Sequence, residues 1–157
     1  MADERNDSGG ARKRPESVLV VVHTRAGEVL LLKRRRPVFW QSVTGSLRWP
    51  DESAAAAARR ELREETGIEA GDALRDWQRS WTFAILPEYR HRYGSGVSDN
   101  VEHLFSVGLD DRVAVAIDPS EHSEYRWVDG PTAAAMVWSW TNREGIELVI
   151  GDARCRL

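Results

Sequence analysis

The feature that most constrains this chain is a group of three glutamates in one predicted helix, Glu61, Glu64 and Glu65. Positions three and four apart share one face of an α-helix, so the three carboxylates converge on one side. Like charges placed together destabilise an isolated helix, and a bound divalent cation is the usual compensation. Carboxylate oxygens suit a hard ion, so the pattern predicts a site for Mg²⁺, with Mn²⁺ as a substitute. A solvated acidic helix face is the alternative interpretation.

Flanking residues predict a helix over Glu52–Thr66. Ser53 or Asp51 is suited to cap its first turn, and Gly67 can take the left-handed conformation that ends a helix. Arg60 precedes one of the three glutamates by four residues and is expected to orient it through an ion pair. The helix therefore carries both the acidic face and a cation that fixes it.

The segment from Gly45 to Ile68 resembles the Nudix box, G-x5-E-x7-R-E-U-x-E-E-x-G-U, in which U is a bulky aliphatic residue. Every fixed position from Glu52 onward matches. The loop from Gly45 to Glu52 has one residue more than the pattern. The resemblance implies an α/β fold, an α/β/α sandwich with a mixed β-sheet between helices. It also implies a metal-dependent hydrolase that acts on diphosphate linkages.

The predicted chemistry follows from the charge of a diphosphate, whose oxygens repel an attacking water. Cations bound by the helix glutamates would neutralise that charge and lower the pKa of a bound water. A carboxylate that is not saturated by metal can then accept the proton, and the two candidates for this base are Glu61 and Glu121. The predicted catalytic residues are Glu61, Glu64, Glu121 and Arg60, and the predicted metal ligands are Glu61, Glu64, Glu65 and Glu121.

Segments outside the box resemble one bacterial branch of the Nudix family, which removes pyrophosphate from dihydroneopterin triphosphate in folate biosynthesis. These segments are 39–46, 90–93, 121–122 and 139–143. The resemblance implies metal ligation by Glu61, Glu65 and Glu121. It also implies substrate contacts at Lys13, Arg34, Thr44, Phe83, Ala84, Ile85, Leu86 and Ser139.

The residues themselves are compatible with such a substrate. The basic runs at 33–36 and 90–92 can bind a triphosphate, although charge runs are often only solvated. Among seven tryptophans, Trp40 and Trp140 are the candidates for stacking on a planar pterin, and Trp40 is assigned to the substrate site. His122 and His91 are candidate proton carriers, with a surface or hydrogen-bonded role as the alternative.

Length and composition limit the other possibilities. A chain of 157 residues predicts a disordered tail at 1–12 and a single domain at 13–157. A net charge of −3 argues against bulk binding to nucleic acid. The single cysteine, Cys155, excludes an intramolecular disulfide and favours a reducing cytoplasm. No apolar run is long enough for a membrane helix.

Periodicity predicts the remaining elements. Predicted strands cover residues 17–23, 28–33, 39–44, 75–86, 101–109 and 125–128, and two further helices cover 131–138 and 142–150. Residues 89–100 are predicted to form a loop.

Three functions remain open from the sequence. The first is hydrolysis of dihydroneopterin triphosphate, and the second is pyrophosphohydrolysis of nucleoside triphosphates by another Nudix enzyme. The third is a non-enzymatic Nudix-like ligand sensor, which predicts a damaged box, whereas Glu61, Glu64 and Glu65 are all present. The substrate in the first two cases is a small-molecule triphosphate.

Overall fold

The computed structural model describes residues 12–155. The predicted tail lies outside the described residues except for Arg12, and its disorder stays a prediction. The strands are β1 (Glu16–Thr24), β2 (Glu28–Arg34), β3 (Phe39–Gln41), β4 (Val43–Ser46), β5 (Leu74–Ala84), β6 (Asp99–Leu109) and β7 (His122–Asp129). The α-helices are α1 (Ala54–Thr66), α2 (Gly130–Met136) and α3 (Trp140–Cys155), with short 3₁₀ helices at Gly71–Ala73 and Pro87–Arg92.

All seven strands join one mixed sheet with the order β3-β2-β1-β6-β5. The pair β1 and β6 is parallel, and the other pairs are antiparallel. Strand β4 pairs with one end of β1, and β7 pairs with β2. The centre of the sheet is therefore β1, which is buried on both sides.

Alternation along β1 divides the core into two layers. Val18, Val20 and Val22 pack with α1 residues such as Leu62 on one face. Leu19 and Val21 pack on the other face with residues of α2 and α3, which include Ala133 and Ile146. Helices thus cover both faces of a mixed sheet, and the predicted α/β/α sandwich is confirmed.

Helix α1 begins two residues later than predicted, at Ala54. Of the two candidate caps it is Ser53 that accepts a hydrogen bond from the Ala56 backbone, at 3.1 Å. Glu52 lies before the cap, and its carboxylate accepts hydrogen bonds from Arg60. Gly67 ends the helix with φ 77° and donates its N–H to the Arg63 carbonyl, as predicted.

Other boundaries differ from the predicted ones where local geometry overrides periodicity. Strand β5 contains a bulge between Asp76 and Ser80, with Gln78 at φ 52°. The predicted loop at 89–100 contains the end of a 3₁₀ helix and the start of β6. Helix α3 begins at Trp140 and continues to Cys155. Among residues 12–155 no helix is long and apolar enough to cross a membrane.

Candidate active site

Arg60 is the centre of a charged cluster on α1. Its guanidinium donates two parallel hydrogen bonds of 2.8 Å to the Glu52 carboxylate. It also donates to Glu61 Oε1 at 2.7 Å and to Glu64 Oε1 at 3.2 Å, which confirms the predicted i,i+4 ion pair. A further bond reaches the Ser46 carbonyl. The Arg60 side chain is 9 % exposed, so it acts as a buried clamp on three carboxylates.

The contact with Arg60 shifts the pKa of Glu52. The hydrogen bond from Arg60 holds the pKa of Glu52 below its usual range, against the opposing effect of burial. The same contacts raise the pKa of Arg60. Both groups are therefore charged over the whole neutral range.

Gly45 lies directly against Glu61. A Cβ atom at position 45 would come within 2.1 Å of Glu61 Cδ, so only a glycine leaves room for this carboxylate. The loop closes on itself between Arg48 and Glu52, where the Arg48 N–H donates to Glu52 Oε1 at 2.8 Å. The longer loop therefore still delivers Gly45 to the helix.

Glu65 is a buried carboxylate in the same region. It is 6 % exposed, and its Oε1 has no hydrogen-bond partner among the described residues. Burial, the nearby Glu61 and the charge of Glu121 together raise the pKa of Glu65, while a hydrogen bond with the Thr44 backbone opposes the rise. Glu65 therefore lies close enough to both Glu61 and Glu121 to be repelled by their charges.

This arrangement fits a divalent cation in its donor set. The unpartnered Oε1 of Glu65 and the repulsion of Glu65 by Glu61 and Glu121 are the conditions that a cation relieves. Within residues 12–155 no three acidic, histidine or cysteine side chains already surround a common point. Glu61 and Glu64 each direct Oε1 towards Arg60.

A polar cavity of about 610 Å³ opens beside these carboxylates. The backbone N–H of Arg35 donates to the Glu121 carbonyl at 2.9 Å, which holds the loop that carries Glu121 against the end of β2. The lining therefore combines carboxylates with guanidinium groups, as a site for a metal-bound phosphate requires. It consists of Arg34, Arg35, Arg36, Gln41, Thr44, Glu65, Ser120, Glu121 and His122.

His122, one of the candidate proton carriers, also lines this cavity. It is 2 % exposed, and neither ring nitrogen has a partner among the described residues. Burial and then the charge of Arg34 lower the pKa of His122, so the imidazole is neutral at neutral pH. The other candidate, His91, is exposed and lines neither cavity.

A second, aromatic cavity of about 440 Å³ adjoins the first and shares Arg34, Gln41 and Thr44 with it. Its aromatic lining residues are Phe39, Phe83, Tyr89, Tyr93, Trp138 and Trp140. Eight of the predicted substrate contacts line it, namely Lys13, Arg34, Thr44, Phe83, Ala84, Ile85, Leu86 and Ser139. The two cavities thus form one continuous cleft.

Lys13 has the shifted titration expected of a cation in a cleft. Burial lowers the pKa of Lys13, and the neighbouring charges of Arg92 and Arg34 lower it further, while Glu61 opposes them. The Lys13 side chain is therefore near both the two arginines and the carboxylate of Glu61. An anion in the cleft would stabilise all three cations.

Trp40 is the one predicted substrate residue that the structure does not bring to the cleft. It packs against the core layer of α2 and α3, with Arg126 5.0 Å and Lys33 5.9 Å from its ring centroid. Neighbouring residues on a strand face opposite sides, and on β3 it is Phe39 and Gln41 that line the cavity. Trp140, the other candidate, does line it, together with Trp138.

Sequence reasoning missed two polar residues in the aromatic cavity, Asn100 and Glu102. They are 3 % and 7 % exposed and belong to β6. The available signal was their spacing, because they occupy the same alternating positions as the buried Leu104. A carboxylate at an inward position of a strand is unusual and points to a function.

Comparisons with known proteins agree with this geometry. The family model described as NUDIX domain matches residues 13–147. The chain is 42 % identical over 146 residues to the dihydroneopterin triphosphate diphosphatase of Escherichia coli K12, covering 90 % of this chain and 95 % of the relative. It is 35 % identical over 147 residues to the protein of that name from Haemophilus influenzae, covering 90 % and 91 %.

Solved structures give the same result. The structure of the E. coli dihydroneopterin triphosphate pyrophosphohydrolase superposes with a TM-score of 0.82 at 42 % identity, covering 90 % of this chain and 98 % of that one. A NUDIX hydrolase from Listeria monocytogenes superposes with a TM-score of 0.78 at 20 % identity, covering 91 % and 97 %. The second likeness concerns the fold alone.

Proposed function

Since this chain belongs to the NUDIX family, we propose that it hydrolyses dihydroneopterin triphosphate to dihydroneopterin monophosphate and pyrophosphate, in folate biosynthesis. The observation that carries the proposal is the continuous cleft. Its polar cavity has carboxylates and guanidinium groups for the triphosphate, and its aromatic cavity has the flat walls that suit a pterin ring. The 42 % identity to the E. coli diphosphatase extends over nearly the whole domain.

Nudix hydrolases generally require a divalent cation, and we assign Mg²⁺ to this protein, with Mn²⁺ as a substitute. Glu61, Glu65 and Glu121 would hold it, with Glu64 beside them at the rim. Bound there, the cation would neutralise phosphate charge and lower the pKa of a water.

The residues of the chain itself perform the remaining tasks. The guanidinium groups of Arg34, Arg35 and Arg36 bind the phosphate oxygens. Arg60 orients Glu61 and Glu64 through the hydrogen bonds described above. Glu61 or Glu121, whichever is not saturated by the cation, accepts the proton of the attacking water. A cytoplasmic location, favoured by the single cysteine, stays a prediction.

A side-by-side assay with Mg²⁺ tests the proposal. It compares kcat/KM for dihydroneopterin triphosphate, dATP, 8-oxo-dGTP and ADP-ribose, and it quantifies both pyrophosphate and orthophosphate. A clear preference for the pterin with release of pyrophosphate supports the proposal. A preference for a nucleotide would contradict the substrate but not the hydrolase chemistry, and no turnover of any compound would favour a ligand sensor.

A second test concerns the helix carboxylates. We expect Glu64→Gln to abolish turnover, because it removes a carboxylate of the proposed metal site. The fold should stay intact, because the Glu64 side chain is 46 % exposed and the substitution preserves its shape. The matched control is Glu147→Gln on the exposed face of α3. A near-normal rate in the Glu64 variant would show that this carboxylate does not belong to the metal site.

A further inference from the structure

Glu102 and Asn100 place unused hydrogen-bond acceptors inside the aromatic cavity. Both side chains lie on the face of β6 that Leu104 shares, next to α3. Glu102 Oε1 accepts a hydrogen bond from the Thr141 hydroxyl at 2.6 Å. A carboxylate has about four lone-pair sites, so Glu102 retains capacity for further donors.

The acceptor of Asn100 has no partner at all among the described residues. Its Nδ2 donates to Ser17 Oγ at 2.9 Å, and its buried Oδ1 is unsatisfied. A buried acceptor without a donor is costly, because its desolvation is not compensated. Such an atom beside a cavity indicates that the missing donor comes with a ligand.

The charge of Glu102 has no counterpart either. The causes that shift its pKa are burial, which raises it, and the Thr141 hydrogen bond, which opposes the rise. Within residues 12–155 no cation contributes to this shift. A ligand that supplies neutral N–H groups would stabilise the carboxylate, and one that presents acceptor atoms would be repelled.

We infer that Glu102 is the residue that determines ring specificity, by accepting two parallel hydrogen bonds from the N–H and exocyclic amine of a 2-amino-pyrimidin-4-one edge. Asn100 Oδ1 accepts the second hydrogen of that amine. Phe83, Trp138 and Trp140 contribute the flat walls between which the ring is held. The inference rests on the proposed function for its ligand, because the pterin of dihydroneopterin triphosphate has this edge.

Guanine has the same edge, whereas adenine lacks it. Glu102 and Asn100 would therefore distinguish ring classes by their pattern of hydrogen-bond donors. The E. coli and Haemophilus relatives act, by their names, on a triphosphate that carries a pterin. The two possible sources of the edge, a pterin and a guanine nucleoside, can be separated experimentally.

The test measures binding without metal or turnover, by calorimetric titration of the full chain. The ligands are neopterin and its 2-desamino analogue, with guanosine and inosine as the second pair. We expect the wild type to prefer neopterin over the desamino compound by about tenfold or more, the usual discrimination of a bidentate contact. A tighter interaction with guanosine than with neopterin would identify guanine as the source of the edge and would contradict the pterin assignment.

Three variants locate the effect. Glu102→Gln should remove most of the preference for the amino-bearing ligands, Glu102→Asp should retain part of it, and Glu147→Gln on the outer face of α3 should leave it unchanged. Thermal melting checks that each variant is folded. Equal affinity of the wild type for both members of the neopterin pair, or no measurable binding of neopterin, would overturn the inference without reference to any variant.

Turnover distinguishes this inference from the proposed function. Glu102→Gln should raise KM for dihydroneopterin triphosphate about tenfold or more while kcat changes little, because the contact is made equally in ground and transition states. Wild-type turnover of this substrate with no discrimination at the amino group would overturn the inference alone. Discrimination at the amino group without turnover of the pterin triphosphate would overturn the proposed function alone.

Discussion

At the scale of single residues, the site depends on contacts that leave no spare volume. Gly45 is the clearest example, since Glu61 occupies the space that a side chain at position 45 would need. Its φ is not in the left-handed region, so an alanine at this position meets no backbone strain. Any effect of the substitution therefore comes from the displaced carboxylate.

We expect Gly45→Ala to lower kcat/KM by about 10²-fold, because misplacement of a catalytic group by about 1 Å has an effect of that order. The concentration of Mg²⁺ required for half-maximal rate should rise as well. Gly94→Ala is the matched control, since a Cβ there would meet Val97 at an ordinary 3.9 Å. Equal rates for the two variants would show that Glu61 can move aside without loss.

A second residue-scale prediction concerns the buried pair of Arg60 and Glu52. The lowered pKa of Glu52 means that its contribution to stability is complete above the ordinary carboxyl value of 4.5 and is lost as the pH falls through the folded value. Glu52→Gln should therefore reduce the free energy of unfolding by about 1.5–3 kcal/mol at pH 7. The difference from wild type should shrink in acid.

Urea unfolding at several pH values measures this difference. The control is Glu69→Gln, because the Glu69 carboxylate is 73 % exposed and 3.9 Å from Arg63, a pair of little expected value. A difference between wild type and Glu52→Gln that does not depend on pH would contradict the assigned role of the charge.

At the scale of secondary-structure elements, α3 rests on the sheet through Gly145. A Cβ at this position would come within 2.9 Å of Leu19 Cδ2 and 3.2 Å of Leu104 Cδ1. The helix carries Thr141, the donor to Glu102, so its distance from the sheet also sets the floor of the aromatic cavity. Packing of the helix and ligand recognition are therefore linked.

Two glycines of the same helix give opposite predictions. Gly145→Ala should destabilise the protein by about 1–3 kcal/mol, because overpacking outweighs the gain in helix propensity. Gly151→Ala should stabilise it by about 0.5–1 kcal/mol, since a Cβ there meets nothing within 4 Å. Thermal or urea unfolding of both variants checks the pair, and a stabilised Gly145→Ala would contradict the close approach of α3.

The same scale shows what could be predicted from the sequence. Helix α1 followed from capping and from the spacing of its glutamates, because these signals are local, whereas the α/β/α layers were implied by the resemblance to the Nudix family. The bulge in β5 and the orientation of Trp40 could not be predicted, since they depend on strand pairing and register. Asn100 was missed because it was assigned to the loop at 89–100, and Glu102 because a polar residue within a strand pattern is interpreted as solvent-facing until the opposite layer is known.

At the scale of the whole molecule, cation binding should be visible in global stability. The buried Glu65, whose Oε1 has no partner among the described residues, opposes folding while no cation is bound, because its pKa is raised by burial and by Glu61. A cation that binds the folded state alone stabilises it by mass action, by about 2.7 kcal/mol at a hundredfold excess over Kd. The melting temperature should therefore rise with Mg²⁺.

Glu65→Gln should remove both the destabilisation by the buried carboxylate and the stabilisation by a bound cation. The variant should melt above the wild type in EDTA, because a neutral amide replaces a repelled carboxylate, and it should lose the response to Mg²⁺. Differential scanning calorimetry measures both, with the exposed-face variant Glu147→Gln as the control. An undiminished Mg²⁺ response in Glu65→Gln would place the cation elsewhere.

The parallel pairing of β1 with β6 has a consequence for how the protein is made. Residues 16–24 must wait for residues 101–109 before their ladder can form, and pairing across so long a loop is slow. Both hydrophobic layers rest on β1, so a nascent chain that has left the ribosome only as far as α1 still lacks the β6 partner of that strand and the helices that cover its second face. The carboxylates thus acquire their final arrangement late in synthesis, when most of the domain is already available.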